Sequence, residues 1–409
     1  MTEATLASLG RFIRGVGYNP DEDLRARPGS DTVELLRANN VHDGRLVLDE
    51  VQHVHRRRVR SDQYLTDGDV LICAANGSKR LVGKAAQVWL PDSRELTLGA
   101  FMMSFRPNPA KVFPAYSAQQ FHSKKYRDWV ELLLSGSSIN NLRPSAVGEL
   151  RVWLPNFEEQ QRIAQALMDA DELIVALERL IAKKQAIKQG MMQQLLTGRT
   201  RLPGFTAEWQ SVALGELGVF LKGRGVKRDD VRSSGVSCIR YGELYTGFIN
   251  YTYSANSFVT DEVAATALPI FKGDLLFAGS GETRDEIGLC VAYVGENAAV
   301  AGGDIIVLRG TGFNPIFLAT LTNLPTVANQ KARAGQGDAV VHISSRALSE
   351  IMVSIPEKPE QNAIAKVLVD ADQELVRLRA RLTKARAMKT GMMQQLLTGR
   401  VRLPMEASA

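Results

Sequence analysis

Few residues in this 409-residue chain stand where chemistry could be done. The run Gly77 to Lys84 (GSKRLVGK) imitates a phosphate-binding loop. Five residues separate its glycines where the loop needs four, and Ala85 follows where a hydroxyl would hold Mg2+. Asn314-Pro315-Ile316-Phe317 lacks the second proline of an Asn-Pro-Pro-aromatic methyl-transfer motif and has no companion Phe-x-Gly-x-Gly loop. Gly279-Ser280-Gly281 is not the Gly-x-Ser-x-Gly elbow of a serine nucleophile. His53-Val54-His55 supplies at most two metal ligands, with no cysteine cluster to complete a site. No catalytic or metal-binding residue is expected.

The remaining candidates are cationic. Arg56-Arg57-Arg58 with Arg60, preceded by His53 and His55, is the densest basic run. Lys79-Arg80 lies in the loop after Gly68-Asp69-Val70-Leu71, and Arg14 sits in a Gly-rich turn. Further on, Lys222, Arg224, Lys227 and Arg228 surround Gly223 and Gly225, which permit close backbone approach. Lys331, Arg333 and Gln336 fall in a Gly-rich stretch before the last strand. Arginine can neutralise phosphate or pair with two acceptors of guanine, so these are the candidate DNA contacts. A solvated charged surface is the competing reading of each, and the types alone do not separate base readers from phosphate binders.

Overall charge does not decide the matter. The formal net charge is +6 with an isoelectric point near 9.2. Residues 1–155 hold 21 Lys+Arg against 17 Asp+Glu, but residues 204–356 hold 12 against 15, so the second large segment is acidic. Apolar residues at 45% and charged residues at 23% fit a globular chain, and the length predicts two or more domains. The opening MTEATLASLGRF does not read as a signal peptide, and no apolar run approaches the roughly 18 residues of a membrane span. Cys73, Cys238 and Cys290 are scattered and read as buried or free thiols in a reducing compartment, so a cytoplasmic location without membrane partners is expected.

The elements that must position these residues come in two copies. Pro155 to Pro203 and Pro356 to Pro404 align without a gap at an offset of 201, with 27 of 49 positions identical and GMMQQLLTGR repeated letter for letter. Ile163, Leu167, Ala170, Ile174, Leu177 and Ile181 alternate at spacings of four and three, as do Ile364, Leu368, Ala371, Leu375, Leu378 and Leu382. Each set is the seam of a helix lying along another helix. Two copies in one chain favour an intramolecular antiparallel pair over homodimerisation. Gly190 and Gly391 interrupt the pattern and allow a bend, while Met191, Met192, Leu195 and Leu196 flank the seam as exposed apolar residues that invite a partner. Between the helices the correspondence is weak: Gly68-Asp69-Val70-Leu71 matches Gly273-Asp274-Leu275-Leu276, and stretches such as GDIIVLRG read as short strands. The expected organisation is a domain over 1–155, a helix over 156–200, a second domain over 201–356 and a second helix over 357–404.

Glu158-x-Gln160-x-x-Ile163-Ala164, followed by KQGMMQQLLTGRTRLPGF, resembles the central conserved region of type I restriction–modification specificity (S) subunits, and GMMQQLLTGRVRLP resembles their distal conserved region. The first domain departs from the family in lacking the usual opening strand sequence. The resemblance implies an α+β fold with two α/β-mixed target recognition domains, joined by two long antiparallel helices in a coiled coil with pseudo-two-fold repeat. It implies a non-catalytic, phage-defence subunit in which each domain reads half of a bipartite site on double-stranded DNA. Two methyltransferase subunits would bring S-adenosylmethionine, and motor-nuclease subunits ATP and Mg2+, with no cofactor on this chain. The alternatives are a specificity module of another restriction or phage-defence enzyme, or a scaffold whose helices bind two partners without reading DNA.

A stiff helix pair would set the spacing of the two half-sites, about 34–36 Å for one turn of duplex. Inserting four residues into one helix should lengthen it by about 6 Å, roughly two base pairs at ~3.4 Å rise. Methylation mapping should then show a lengthened spacer; an unchanged spacer would rule out the ruler.

Overall fold

The computed structural model describes residues 2–90, 94–135, 140–337 and 340–403. The chain forms two compact units, Met1–Glu178 with Ala380–Ala409, and Arg179–Arg379. Each unit therefore holds one mixed α/β domain and one part of each long helix, Phe157–Leu195 (α1) and Lys358–Leu396 (α2).

The seam residues behave as their spacing requires. Ile163, Leu167, Ile174, Leu177, Ile181, Ile364, Leu368 and Leu375 are buried, and Ala170, Ala371, Leu378 and Leu382 are half-buried. In the first unit Lys389 donates to Asp171 at 2.6 Å and Arg386 to Glu178 at 2.8 Å. In the second, Lys184 meets Glu374 at 2.8 Å and Lys188 pairs with Asp372. Within each unit rising numbers on α1 meet falling numbers on α2, so the helices run antiparallel.

Two expectations about these helices are corrected. Gly190 and Gly391 do not interrupt them: a Cβ at either would meet nothing within 4 Å, and the helical hydrogen bonds of the neighbours outweigh the roughly 1 kcal/mol a helical glycine costs. Nor are the apolar residues after Gly190 exposed. Leu195 and Leu196 are buried in the core of the second unit with Met191 and Met192 packed against it, and Met393, Leu396 and Leu397 enter the core of the first. The repeated GMMQQLL is thus a docking stripe for the chain's own domains. Gly198 and Gly399, at φ 68° and 70°, then stop each helix in the left-handed conformation.

Each repeat is fastened at both ends. Arg201 donates twice to Glu360, both at 2.6 Å, and Arg402 donates twice to Glu159, at 2.9 and 2.5 Å. The end of each repeat clasps the start of the other. The adjacent Gln160 accepts from the Phe113 N–H and donates to the Pro155 carbonyl, both at 2.8 Å; Gln361 does the same with Asn314 and Pro356. These contacts account for the Glu-Gln pair that heads each helix.

The two domains share one frame. In the first, strands Gly10–Arg14 (β1), Val70–Cys73 (β2), Ala85–Gln87 (β3) and Met102–Pro107 (β4) lie in the order β1-β4-β2-β3. In the second, Val219–Lys222 (β5), Leu275–Ala278 (β6), Cys290–Tyr293 (β7) and Ile305–Arg309 (β8) lie in the order β5-β8-β6-β7, with Tyr251–Thr252 added as a fifth, parallel strand beyond β7. All pairings among the eight labelled strands are antiparallel. Beside each sheet a second one contains a parallel pair, Thr32–Leu36 with Leu96–Leu98 and Val236–Ile239 with Ala299–Ala301. The first domain opens on a strand without the family's usual sequence there: Glu3–Thr5 pairs with Arg151–Trp153, as Gln210–Ala213 pairs with Met352–Ile355. Three residues are too few to display an alternating pattern.

The paired Gly-Asp motifs also find a structural role. Asp69 accepts from Arg106 Nε at 2.8 Å, Arg106 Nη2 at 2.6 Å and the Thr66 N–H at 3.0 Å. Asp274 takes the same three bonds from Arg309, at 2.9 and 2.7 Å, and from the Phe271 N–H at 2.9 Å. Both carboxylates are buried, so removing one leaves its arginine half-buried and unpaired. Asp69→Ala is expected to destabilise the first domain by about 2–4 kcal/mol, at the lower side of the range for a broken buried pair because Arg106 keeps some solvent. Chemical denaturation should resolve this; a change under 0.5 kcal/mol would show that the pair does not hold the frame.

Candidate nucleic-acid interface

The densest basic run is largely engaged within its own domain. Strand Gln52–His55 leads into a single 3-10 turn, Arg56–Arg58. Arg56 forms a two-pronged pair with Glu95, Arg57 and Arg58 reach the buried Asp23 at 3.4 and 3.1 Å, and Arg60 reaches Asp62 at 3.2 Å. The Asn19 backbone N–H, aided by those two guanidiniums, holds the Asp23 carboxyl below the usual range. Arg57, Arg58 and Arg60 are exposed; the Arg60–Asp62 pair lies at the surface and is worth only about 0–1 kcal/mol, so a phosphate could take over Arg60.

The other candidates are distributed over both domains. Lys79 and Arg80 are exposed in the turn between β2 and β3. Arg14 is not in a turn; it is the exposed last residue of β1. Lys222 is the exposed last residue of β5, followed by exposed Arg224, Lys227 and Arg228. Lys331 and Arg333 lie on the helix Pro325–Ala334 rather than in a loop. Arg333 is exposed, and Gln336 lies just beyond the helix.

Lys331 is a correction. It is 1% exposed, its Nζ donates to the Gly288 carbonyl at 2.5 Å, and burial lowers its pKa to about 8. A glycine at 288 leaves room for its aliphatic stem: a Cβ there would sit 3.0 Å from Lys331 Cδ. An amphipathic helix carried this lysine inward, and it cannot touch DNA. Neighbouring Asp338 and Ala339 lie outside the described residues, as do residues 136–139 of the corresponding stretch in the first domain.

In each domain one candidate cation stands beside a backbone crossing. At the end of β1 a Cβ on Gly15 would lie 1.9 Å from the Gly99 carbonyl oxygen; at the end of β5 a Cβ on Gly223 would lie 2.1 Å from that of Gly302. Only glycine allows either crossing. Arg14 and Lys222, each just before its glycine, occupy the same place in the two frames, paired across to Met103 and Ile306. A cleft opens beside each crossing. In the first domain it measures about 870 Å³ and is lined by Tyr18, Arg37, Asn39, Asn76, Phe101 and Asn140. In the second it measures about 280 Å³ and is lined by Lys222, Asp304, Gln336, His342 and Ser344. Of the expected contacts, Lys222 and Gln336 meet in the second cleft. Arg37, Phe101, Asp304 and His342 gave no sequence signal, since each is an isolated residue that strand register alone brings to the cleft.

No protein-family model matches the chain. It is 28% identical over 249 residues to the StySPI type I restriction enzyme specificity subunit of Salmonella potsdam, covering 59% of this chain and 53% of that one. It is 28% identical over 210 residues to the EcoKI specificity subunit of Escherichia coli strain K12, covering 51% and 44%. The chain therefore spans about half the length of these curated relatives. With the putative MjaX specificity subunit of Methanocaldococcus jannaschii it shares 23% identity over 93% of this chain and 90% of that one. Among solved structures, the S subunit of the type I restriction–modification system of M. genitalium aligns at TM-score 0.59, with 16% identity, 97% of this chain and 96% of that chain. The S subunit from Thermoanaerobacter tengcongensis aligns at TM-score 0.52, with 17% identity, 98% and 97%. The α+β architecture is that of type I specificity subunits, and the sequence relatives bear the same description, as the helix repeats suggested.

Because Lys331 is buried, Lys331→Met should leave DNA affinity and its salt dependence unchanged within about twofold in filter binding; a tenfold loss would return this residue to the interface. Its folded pKa lies below the unfolded value near 10.5, so the unfolded chain binds more protons between about pH 8 and 10.5 and wild-type stability gains with pH across that window. Denaturation of Lys331→Met should show that gain removed.

Proposed function

We propose that this chain is a sequence-specific DNA-binding specificity subunit of a type I restriction–modification complex, each domain reading one half of a bipartite site. The carrying observation is the duplicated frame: two domains with one strand order and one glycine crossing, each preceding a helix of an exchanged, Arg–Glu-clasped antiparallel pair. The relatives' names support this reading. Two similar readers suit the two half-sites of a duplex, whose strands run in opposite directions.

On this reading the chain carries no catalytic residue. Two methyltransferase subunits supply S-adenosylmethionine chemistry, and motor-nuclease subunits supply ATP- and Mg2+-dependent cleavage, in the cytoplasm. Among the described residues no helix is long and apolar enough to cross a membrane. Exposed apolar side chains on the helices, Leu173 and Met388 in the first unit and Leu180, Ile187 and Val376 in the second, supply surface for the methyltransferase subunits.

Sequencing the methylated bases of a strain with and without this gene tests the proposal. Loss of one bipartite methylation motif on deletion is expected, whereas a scaffold that reads no DNA would leave every motif in place. Binding of the complex to its site should weaken steeply between about 50 and 200 mM salt, as counterion release requires; a salt-independent affinity would refute the phosphate contacts.

A further inference from the structure

The backbones around the two glycine crossings correspond through their hydrogen bonds, although their side chains share almost nothing in sequence; Phe101 and Arg37 line the first cleft, and Asp304, Lys222 and His342 line the second. The Ala74 N–H donates to the Phe101 carbonyl at 2.9 Å and the Gly279 N–H to the Asp304 carbonyl at 2.7 Å, so Asp304 stands where Phe101 stands. The Leu142 N–H donates to Ala74 at 2.8 Å and the Ile343 N–H to Gly279 at 3.0 Å. Ala75 bridges Asn141 and Ser280 bridges His342, which makes those two pairs equivalent as well. Finally the Gly99 N–H donates to Leu36 and the Gly302 N–H to Ile239, both at 2.9 Å, so the next residues, Arg37 and Arg240, also correspond.

Sorted this way, the positions fall into two kinds. Where β1 and β5 end, both domains carry a cation, Arg14 or Lys222. Beside the glycine crossing both carry an arginine, Arg37 or Arg240. Each of these arginines heads a short helical turn in the same manner, its N–H donating at 2.9 Å to Asn40 or Glu243. Both side chains are half-buried with a buried Nε that has no hydrogen-bond acceptor, and Arg240 also pairs with Glu243 at 3.7 Å, so any phosphate would meet the terminal guanidinium nitrogens. At the loop tips the domains differ: exposed Phe101 against exposed Asp304, and Asn141 against His342. His342 is oriented through its Nδ1, 2.8 Å from Ser280 Oγ, and Asp304 is held at φ 59° by the Gly279 bond.

We infer that Arg14 and Arg37, with Lys222 and Arg240, anchor phosphate in both half-sites, while Phe101 and Asn141 read bases in one and Asp304 and His342 in the other. The inference rests on the DNA-reading function proposed above and assigns its residues. Its physical basis is that the phosphate backbone is the same in both half-sites while the bases are not. A shared frame should therefore keep like cations where it meets phosphate and unlike tips where it meets bases. The tips have suitable chemistry: a carboxylate accepts from an exocyclic amino group of cytosine or adenine, and an exposed phenyl ring packs on a thymine methyl. Asn141 suits adenine, whose edge offers one donor and one acceptor.

The test uses the complex with its methyltransferase subunits. Ser280→Ala with His342→Asn installs the first domain's side chains in the second, and Asp304→Asn turns an acceptor-only tip into one that also donates. The methylated motif should change or relax in one half alone, the other half staying as in the wild type. Full methylation of the unchanged motif by both variants would overturn the base-reading assignment while leaving the wider function intact. A wild-type complex that methylates no bipartite motif would overturn both. Arg37→Gln and Arg240→Gln should weaken cognate and unrelated duplexes by the same factor and flatten the log–log salt slope by about 0.9 each. An unchanged slope, or a loss confined to cognate DNA, would sink the phosphate assignment even if the tip variants failed to fold.

Discussion

The exchanged clasp between the ends of the two repeats governs the rest of the molecule. Arg402 closes on Glu159 and Arg201 on Glu360, each pair bidentate and each joining the end of one repeat to the head of the other. The Arg402 hydrogen bonds, with the Arg402 and Arg162 charges, hold the Glu159 carboxyl below its ordinary range despite its burial. A planar guanidinium matches a carboxylate with two parallel bonds, so the clasp fixes direction as well as distance. Lysine could not do the same.

From that constraint the duplicated helices follow. Each must present Ile-Leu seam residues to the other helix, Met-Leu residues to its own domain core, and a Glu-Gln head to the turn before it. Three surfaces of one helix are committed at once, and little in the sequence is left free to vary. The domains face no such demand. Their frame is fixed by backbone bonds and by a few enforcing residues, the buried Asp–Arg pairs Asp69–Arg106 and Asp274–Arg309 and the crossings at Gly15 and Gly223. Loop tips mounted on that frame can change without disturbing it.

The sequence by itself determined whatever repeats locally. An offset of 201 without gaps, the four-and-three spacing and the glycine stops fix the two helices, their pairing and their ends, because helix periodicity depends on near neighbours. It also carried the relation to type I specificity subunits, and most of the fold with it. Tertiary structure alone decided where the charges went. Arg56 to Arg58 look free in sequence and meet Glu95 and Asp23, which are distant in the chain; Lys331 looks exposed and is buried by the face its helix presents. Arg37 and Arg240 attract no attention as single letters, yet both arrive beside a glycine crossing made by strands far apart in sequence. A residue's role in a cleft depends on strand register, and register is settled by long-range pairing that no local pattern of side chains records.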